Sequence, residues 1–349
     1  MGRSALGQTT VKHQIKRIDR LLSNPRLYRE LSIFCKAMIH MLIKPRSTPV
    51  ILVDWTRINE KQCALFASTP YEGRSITLYF EVCPLNKLAN RSLERDFLKT
   101  LKEILPKDVI PTIVTDAGYL NPWFQDVIKL GWYFVGRLGP HIMITKQNQT
   151  SHKLVTLEHS AKTKPIDWGV CKVTNTNPTY YRIIQGAKFE RSTKRSPKPR
   201  PYKHVGRGAA QSRKRSQLPW ILGTNHLDLK PQQVIDIYHL RMQIEELFRD
   251  FKNMRFGWSL KEARCSSSQR YSVLLLIASI AHFITMMIGI IAEKRKLHLH
   301  FQTNSITHRR VLSLFFLGKE IIRLNCQFKV TMRELTQAIK FAKHSIIIV

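Results

Sequence analysis

The pattern of apolar and polar residues predicts a mixed α/β fold: a sheet flanked by helices, with a β-rich insertion and helical regions at both ends. Three observations predict it. β-rich runs and helical spacings alternate between residues 47 and 138. Short strand-like runs then break that rhythm before helical spacing resumes at Pro231. Finally, 43% of the 349 residues are hydrophobic, enough to build a sizeable core and too many for a disordered chain.

Residues 9–43 read as helices. Ile15, Ile18, Leu21 and Leu22 interleave with Lys12, Lys16, Arg17 and Arg20, giving an amphipathic helix with a basic face, and Pro25 and Pro45 mark boundaries. That face suits solvent and a polyanion equally well. From Pro49 the pattern changes to strands. VILVDW (50–55), CALFAS (63–68) and ITLYFEV (76–82) are β-rich runs separated by turn-prone residues such as Asn59-Glu60 and Glu72-Gly73, the pattern of a three-stranded antiparallel meander. Leu93, Phe97, Leu98, Leu101 and Leu105 then give helical spacing over 91–105. A strand TIVTD (112–116), a helix over 121–130 and a strand WYFVGRL (132–138) follow. The order β-β-β-α-β-α-β is the skeleton of the ribonuclease H-like fold.

Residues 139–225 read as the insertion, with short strands HIMIT, GVCKV and YYRII and a final PWILGTN. Inside it, Lys188 to Arg215 holds eleven Lys or Arg and one acid, Glu190, among Ser, Pro and Gly. Such a segment cannot bury a core and is expected to be a flexible loop. Helical spacing returns from Pro231 to about Met254, over 309–324 and over 331–343. Tyr271 to Ala292 is uncharged and long enough to span a bilayer. Basic residues flank it on both sides, so it is expected to be a helix buried within the protein, with no membrane partner. The expected division is a helical region 1–46, a first core part 47–138, the insertion 139–225, a helix completing the core 226–262, and a helical region 263–349.

Charge narrows the function. Fifty-seven Lys and Arg against twenty-four Asp and Glu leave a formal +33, spread along the whole chain. A field of that size draws in polyanions, nucleic acid first. The six cysteines show no CxxC pair and no disulfide-like spacing, which fits a reduced, cytoplasmic protein without structural zinc.

Asp54 and Asp116 each end an apolar strand, and in a ribonuclease H-like sheet those strands are neighbours. Paired carboxylates suit a pair of divalent cations that activate a hydroxyl and stabilise a leaving oxygen. A strand-end Asp also caps turns in many proteins. Tyr238, Arg241, Glu245 and Lys252 are separated by three, four and seven residues, spacings compatible with one face of a helix. A carboxylate there can complete a metal site, with Arg241 and Lys252 holding phosphates. The same spacing describes ordinary Arg241–Glu245 and Glu245–Arg249 surface pairs. Spacing leaves Glu246 as an equal candidate for the third acid.

Tyr238-x2-Arg241-x3-Glu245-x6-Lys252, in the wording YHLRMQIEELFRDFK, resembles the YREK signature of insertion-sequence family four DDE transposases. VDWT around Asp54, VTDAGY around Asp116 and GWYFVGRL at 131–138 are similar to that family's other motifs and stand in the same order. The resemblance runs from about residue 9 to residue 335 and is nearest to the hairpin-forming cut-and-paste branch. It implies Asp54, Asp116 and Glu245 as catalytic, metal-binding acids serving two Mg²⁺ ions, with Mn²⁺ as a substitute. It implies double-stranded DNA with terminal inverted repeats as substrate and a homodimer that synapses two ends, in a bacterial, nucleoid-associated setting. Tyr238, Arg241 and Lys252 would contact DNA, and Trp220 would stack on a flipped base. A core aromatic of the insertion is the alternative for Trp220. Family members carry more sequence before the stretch matching residue 9, so a shortened copy, down to a non-catalytic remnant that occupies transposon ends, is a further expectation.

Overall fold

In the computed structural model the helical spacings before Pro45 form α1 (Val11–Leu22), α2 (Pro25–Arg29) and α3 (Leu31–Leu42). The break between the first two is chemical: Pro25 occupies the first turn of α2 and the Asn24 side chain accepts a hydrogen bond from the Arg26 amide at 2.9 Å. The chain continues through β1 (Val50–Arg57), β2 (Gln62–Tyr71), β3 (Arg74–Pro84), α4 (Arg91–Ile104), β4 (Thr112–Thr115), α5 (Asn121–Lys129) and β5 (Tyr133–Arg137). Next come β6 (Met143–Thr145), β7 (His152–Lys153), β8 (Ile166–Val173), β9 (Thr179–Gln185) and β10 (Ile221–Thr224). The last helices are α6 (Pro231–His239), α7 (Met242–Lys252), α8 (Ser268–Lys294), α9 (Leu314–Arg323) and α10 (Met332–Ser345). The structure describes residues 9–146, 149–154, 164–186, 220–265, 267–303, 305–324 and 328–349; the basic segment 188–215 lies outside them. The fold is mixed α/β and ribonuclease H-like, and it forms two units, Met1–Val114 with Leu240–Val349, and Thr115–His239.

In the first unit β1, β2 and β3 form the antiparallel meander, and β1 pairs in parallel with β4 through Val50↔Thr112, Ile51↔Ile113 and Leu52↔Val114. Successive residues of a strand face opposite sides. Tyr79 of β3 meets Phe97 of α4 at 4.9 Å, while Phe80 stacks on Phe66 of β2, which meets Phe248 of α7 at 5.3 Å. Helices α4 and α7 therefore cover opposite faces of the meander. The apolar tail also docks here: the Val50 amide donates to the Ile347 carbonyl at 3.1 Å and Pro49 bridges Ile348.

Helix α8 is long and apolar enough to cross a membrane, yet 17 of its 27 residues are buried inside this unit. It packs on β3, α9 and α10. Its crossing with α9 depends on two glycines. A Cβ on Gly318 would stand 1.9 Å from the Thr285 carbonyl oxygen, and one on Gly289 would stand 2.1 Å from that of Leu314. Only bare backbone fits there.

The second unit holds the antiparallel strands β5, β10, β9, β8, β6 and β7, hydrogen-bonded in that order. Helix α5 seats Phe124 against Phe134 of β5 at 4.6 Å, and Tyr181 of β9 packs edge-on to both rings.

The helical spacing over 231–254 predicts one helix, whereas the structure has two. At the junction the bonds tighten to i→i+3, from the Gln243 amide to the Leu240 carbonyl (2.9 Å) and from the Ile244 amide to that of Arg241 (3.2 Å). Just beyond, Gln243 is anchored to the β2–β3 hairpin. Its side-chain oxygen accepts from the Tyr71 amide at 3.0 Å and its carbonyl from the Ser75 hydroxyl at 3.3 Å. The contact with the hairpin, which no local spacing encodes, starts α7 afresh.

Candidate active site

Strand β1 is fully buried from Val50 to Val53 and emerges at Asp54, whose side chain is 15% exposed. One oxygen of Asp54 lies 3.5 Å from Nη1 of Arg241, and Nη2 of the same guanidinium lies 2.6 Å from Oε1 of Glu245. Arg241 stands immediately before α7 and Glu245 four residues on, one helical turn away. The i,i+4 pair legible in the sequence is thus also a bridge from helix to strand. Glu246 turns elsewhere, to Arg74 at 3.1 Å and Arg249 at 2.8 Å. The geometry separates two acids that spacing left equal: Glu245 shares a cation with Asp54, and Glu246 is engaged with Arg74 of the hairpin.

Lys252 closes the helix against the same strand. Its Nζ donates to the Thr56 hydroxyl at 2.7 Å and to the Arg57 carbonyl at 3.4 Å, and lies 5.3 Å from the Phe248 ring centre. Thr56 is two residues beyond Asp54, on the same face of β1. Burial pushes the Lys252 ammonium below the usual lysine range; the charge of Asp54 opposes the shift and that of Lys261 adds to it.

In the other unit Asp116 directly follows β4 and is partly buried. Its Oδ1 accepts from the Gly118 amide at 2.8 Å, the turn-capping role open to any strand-end Asp. Tyr238 ends α6 and is 4% exposed. Its ring meets Trp220 edge-on at 4.8 Å, and Trp220 also meets His239 at 4.6 Å. Burial lowers the His239 pKa, with Asp236 opposing. Trp220 itself is partly buried, at the entrance to β10. Tyr238 and the residues from Arg241 onward therefore occupy two helices, where one helical face was predicted.

A family model for the transposase DDE domain matches residues 45–284, more than two thirds of the chain. The chain belongs to this family. No curated protein matches it. It is therefore a transposase, an enzyme acting on DNA, and the match spans Asp54, Asp116 and Glu245 together with the insertion between them.

Transposases of this family generally use divalent metals. Asp54 and Glu245 offer hard carboxylate oxygens, the donor type Mg²⁺ prefers. In the structure both are neutralised by Arg241, and among the described residues no three His, Cys, Asp or Glu side chains converge tightly enough to hold an ion. The donor chemistry fits; the cage is not closed.

Two residues that hold this constellation together carry no signal in sequence. Thr56 receives Lys252, and Arg74 holds both Glu246 and Asp250, the latter at 3.0 Å. Arg74 follows a Glu-Gly turn and matches no spacing; only the folding of the hairpin over α7 reveals it.

Proposed function

We propose that this transposase moves an insertion sequence by a cut-and-paste route, with nicking, hairpin formation and strand transfer at terminal inverted repeats, as in the YREK branch of insertion-sequence family four. Asp54, Asp116 and Glu245 are its acids. The observation that carries the proposal is the Asp54–Arg241–Glu245 bridge, which sets an acid within β1 and a helix acid around one cation. Asp116 is included because of the parallel register of β1 on β4. Leu52 pairs with Val114, and Asp54 and Asp116 each follow two residues later. That register lies within the first unit and ends at Val114; beyond it the case for Asp116 is the VTDAGY motif of the resemblance.

Two Mg²⁺ ions, with Mn²⁺ as a substitute, would supply an activated water or 3′-hydroxyl and stabilise the leaving oxygen when held by these acids. Arg241 keeps Asp54 and Glu245 from repelling one another and offers its planar fork to a phosphate once they turn to cations. Lys252, fixed through Thr56, is a point charge two residues along the strand from Asp54 and suits a neighbouring phosphate. Trp220 is the platform for a flipped base, and buried Tyr238 holds that indole edge-on. Synapsis of two ends calls for a homodimer on double-stranded DNA, in a cytoplasmic, nucleoid-associated setting, with residues 1–46 contributing to DNA binding.

The test is cleavage of the element's own inverted repeats with Mg²⁺ or Mn²⁺, comparing wild type with Asp54→Asn and Asp116→Asn. Metal-dependent nicks and hairpins are expected from wild type and from neither variant. Hairpins made by Asp116→Asn would remove that residue from the site. Wild type that binds the repeats without cutting under either metal would turn the proposal into that of a DNA-binding remnant.

A further inference from the structure

On the unit formed by Met1–Val114 and Leu240–Val349 opens a cleft of about 1000 Å³, of whose lining the chemistry above uses Lys252 alone. One wall is the β1–β2 turn, residues 57–61; the other is the segment 261–265 that follows α7. Five cations line it, Arg57, Lys61, Lys252, Lys261 and Arg264, against Glu60 and Glu262. Among the described residues, Arg57, Lys61, Lys261 and Arg264 have no carboxylate within ion-pair distance, whereas Arg74 and Arg310 each have two. The cations are close enough to act on one another: the charge of Lys261 helps to lower the pKa of Lys252. Like charges held around a concave wall focus a positive field and gain most from an anion with charges spaced along its length.

The position of the cleft suggests which anion. Lys252 also lines a smaller groove of about 400 Å³ with Glu245, Phe248, Arg249 and Asn253. It is the residue common to the edge that carries Glu245 and to the basic cleft.

We propose that this cleft binds the backbone phosphates of the DNA strand running away from the cutting site, with Lys61, Lys261 and Arg264 as contacts beyond Lys252. The proposal rests on the transposase function only for its choice of DNA as the polyanion. It makes the residues after α7 part of the substrate surface, so that cutting position is measured from Lys252 outward along the strand.

Cys265 lines the cleft and supplies a natural reporter, since the other cysteines among the described residues, Cys35, Cys63, Cys83 and Cys171, are buried. The test is the rate at which N-ethylmaleimide alkylates Cys265 in the full chain, followed by peptide mass spectrometry in EDTA so that no DNA is cut. The probes are a 30-base-pair DNA duplex, its single strands, an RNA of the same length, and inorganic phosphate at equal phosphate concentration. Either form of DNA at saturation is expected to slow alkylation at least tenfold, with inorganic phosphate leaving it unchanged. An unchanged rate with both DNA probes overturns the proposal. So does protection by RNA alone, or equal protection by inorganic phosphate.

A second measurement uses the double variant Lys261→Ala/Arg264→Ala. Loss of two phosphate contacts should flatten the dependence of log Kobs on log salt for the duplex by about 1.8, at roughly 0.9 per contact; an unchanged slope overturns the proposal. If the double variant does not fold, thiol protection in the wild type still decides. Failure here would leave Cys265 unprotected while inverted-repeat cleavage persisted. Failure of the proposed function would abolish cleavage while protection persisted.

Discussion

Replacing Glu245 and Glu246 by glutamine, one at a time, separates chemistry from support within a single helical turn. Each change removes one charge and keeps the shape. The Glu245 side chain is 45% exposed and its recorded partner is Arg241, which Asp54 also holds. An exposed i,i+4 pair contributes a few tenths of a kcal/mol, so Glu245→Gln should change stability by less than about 1 kcal/mol. Glu246 is 24% exposed and pairs with Arg74, itself 21% exposed, and with Arg249. Losing charged hydrogen bonds of that kind costs about 1–2 kcal/mol, the lower end being favoured because Arg74 keeps Asp250 at 3.0 Å. Activity should run the other way. Loss of one of three acids acting as a unit should slow cutting on the order of 10³-fold or more, about 4 kcal/mol of barrier. Glu246→Gln should slow it by no more than about 100-fold, the size of an effect transmitted through a small displacement. Single-turnover cleavage of a labelled inverted repeat and urea denaturation of the same preparations measure both quantities. Full cutting by Glu245→Gln, or the activity losses in reverse order, would refute the assignment of the third acid.

Gly318→Ala should destabilise the chain by about 3 kcal/mol or more, because the new methyl would overlap the Thr285 carbonyl and drive α8 and α9 apart; a melting temperature within a degree of wild type would contradict this packing. Asp250 is 7% exposed and stands between Arg74 at 3.0 Å and His282 at 3.4 Å, so Asp250→Ala should cost about 2–3 kcal/mol in urea denaturation by leaving buried His282 without this partner and half-buried Arg74 with Glu246 alone. Glu334 is held down at about 2, first by the Thr331 amide in a capping box and then by Arg295. Its folded pKa lies below the unfolded value, so its contribution is full above the ordinary carboxylate range and is lost as pH falls towards 2. Glu334→Gln should flatten that part of the acid-unfolding curve, and an unaltered curve would discount the cap. Trp220→Ala should slow hairpin formation more than first-strand nicking, by about five- to hundred-fold for roughly 1–3 kcal/mol of lost base stacking; equal slowing of both steps would favour a purely structural indole.

Much of the fold was legible because its elements carry their own signals. The β-rich runs at 50–55, 63–68 and 76–82 became β1 to β3, extended by one to three residues at most ends where ladder bonds continue past the apolar stretch. The apolar run at 271–292 became a helix buried within its unit, as its flanking charges implied. Spacing failed at the segment that carries Glu245. Residues 231–254 are periodic throughout, and the break at Leu240–Arg241 comes from Gln243 bonding to Tyr71 and Ser75, far away in sequence.

The sequence by itself determined the order of elements along the chain, the strand that carries Asp54, the Arg241–Glu245 turn and the excess of positive charge, since each depends on near neighbours or on composition; it put Asp54 at a strand end, whereas pairing with β2 carries β1 on to Arg57. Only the tertiary structure gave Glu245 and Glu246 different partners, brought Thr56 to Lys252 and Arg74 to Asp250, and gathered the cations of two distant segments around one cleft. The reason is physical. A helix's own geometry fixes which residues share a face, but which face meets the sheet is fixed by packing between residues up to nearly two hundred positions apart.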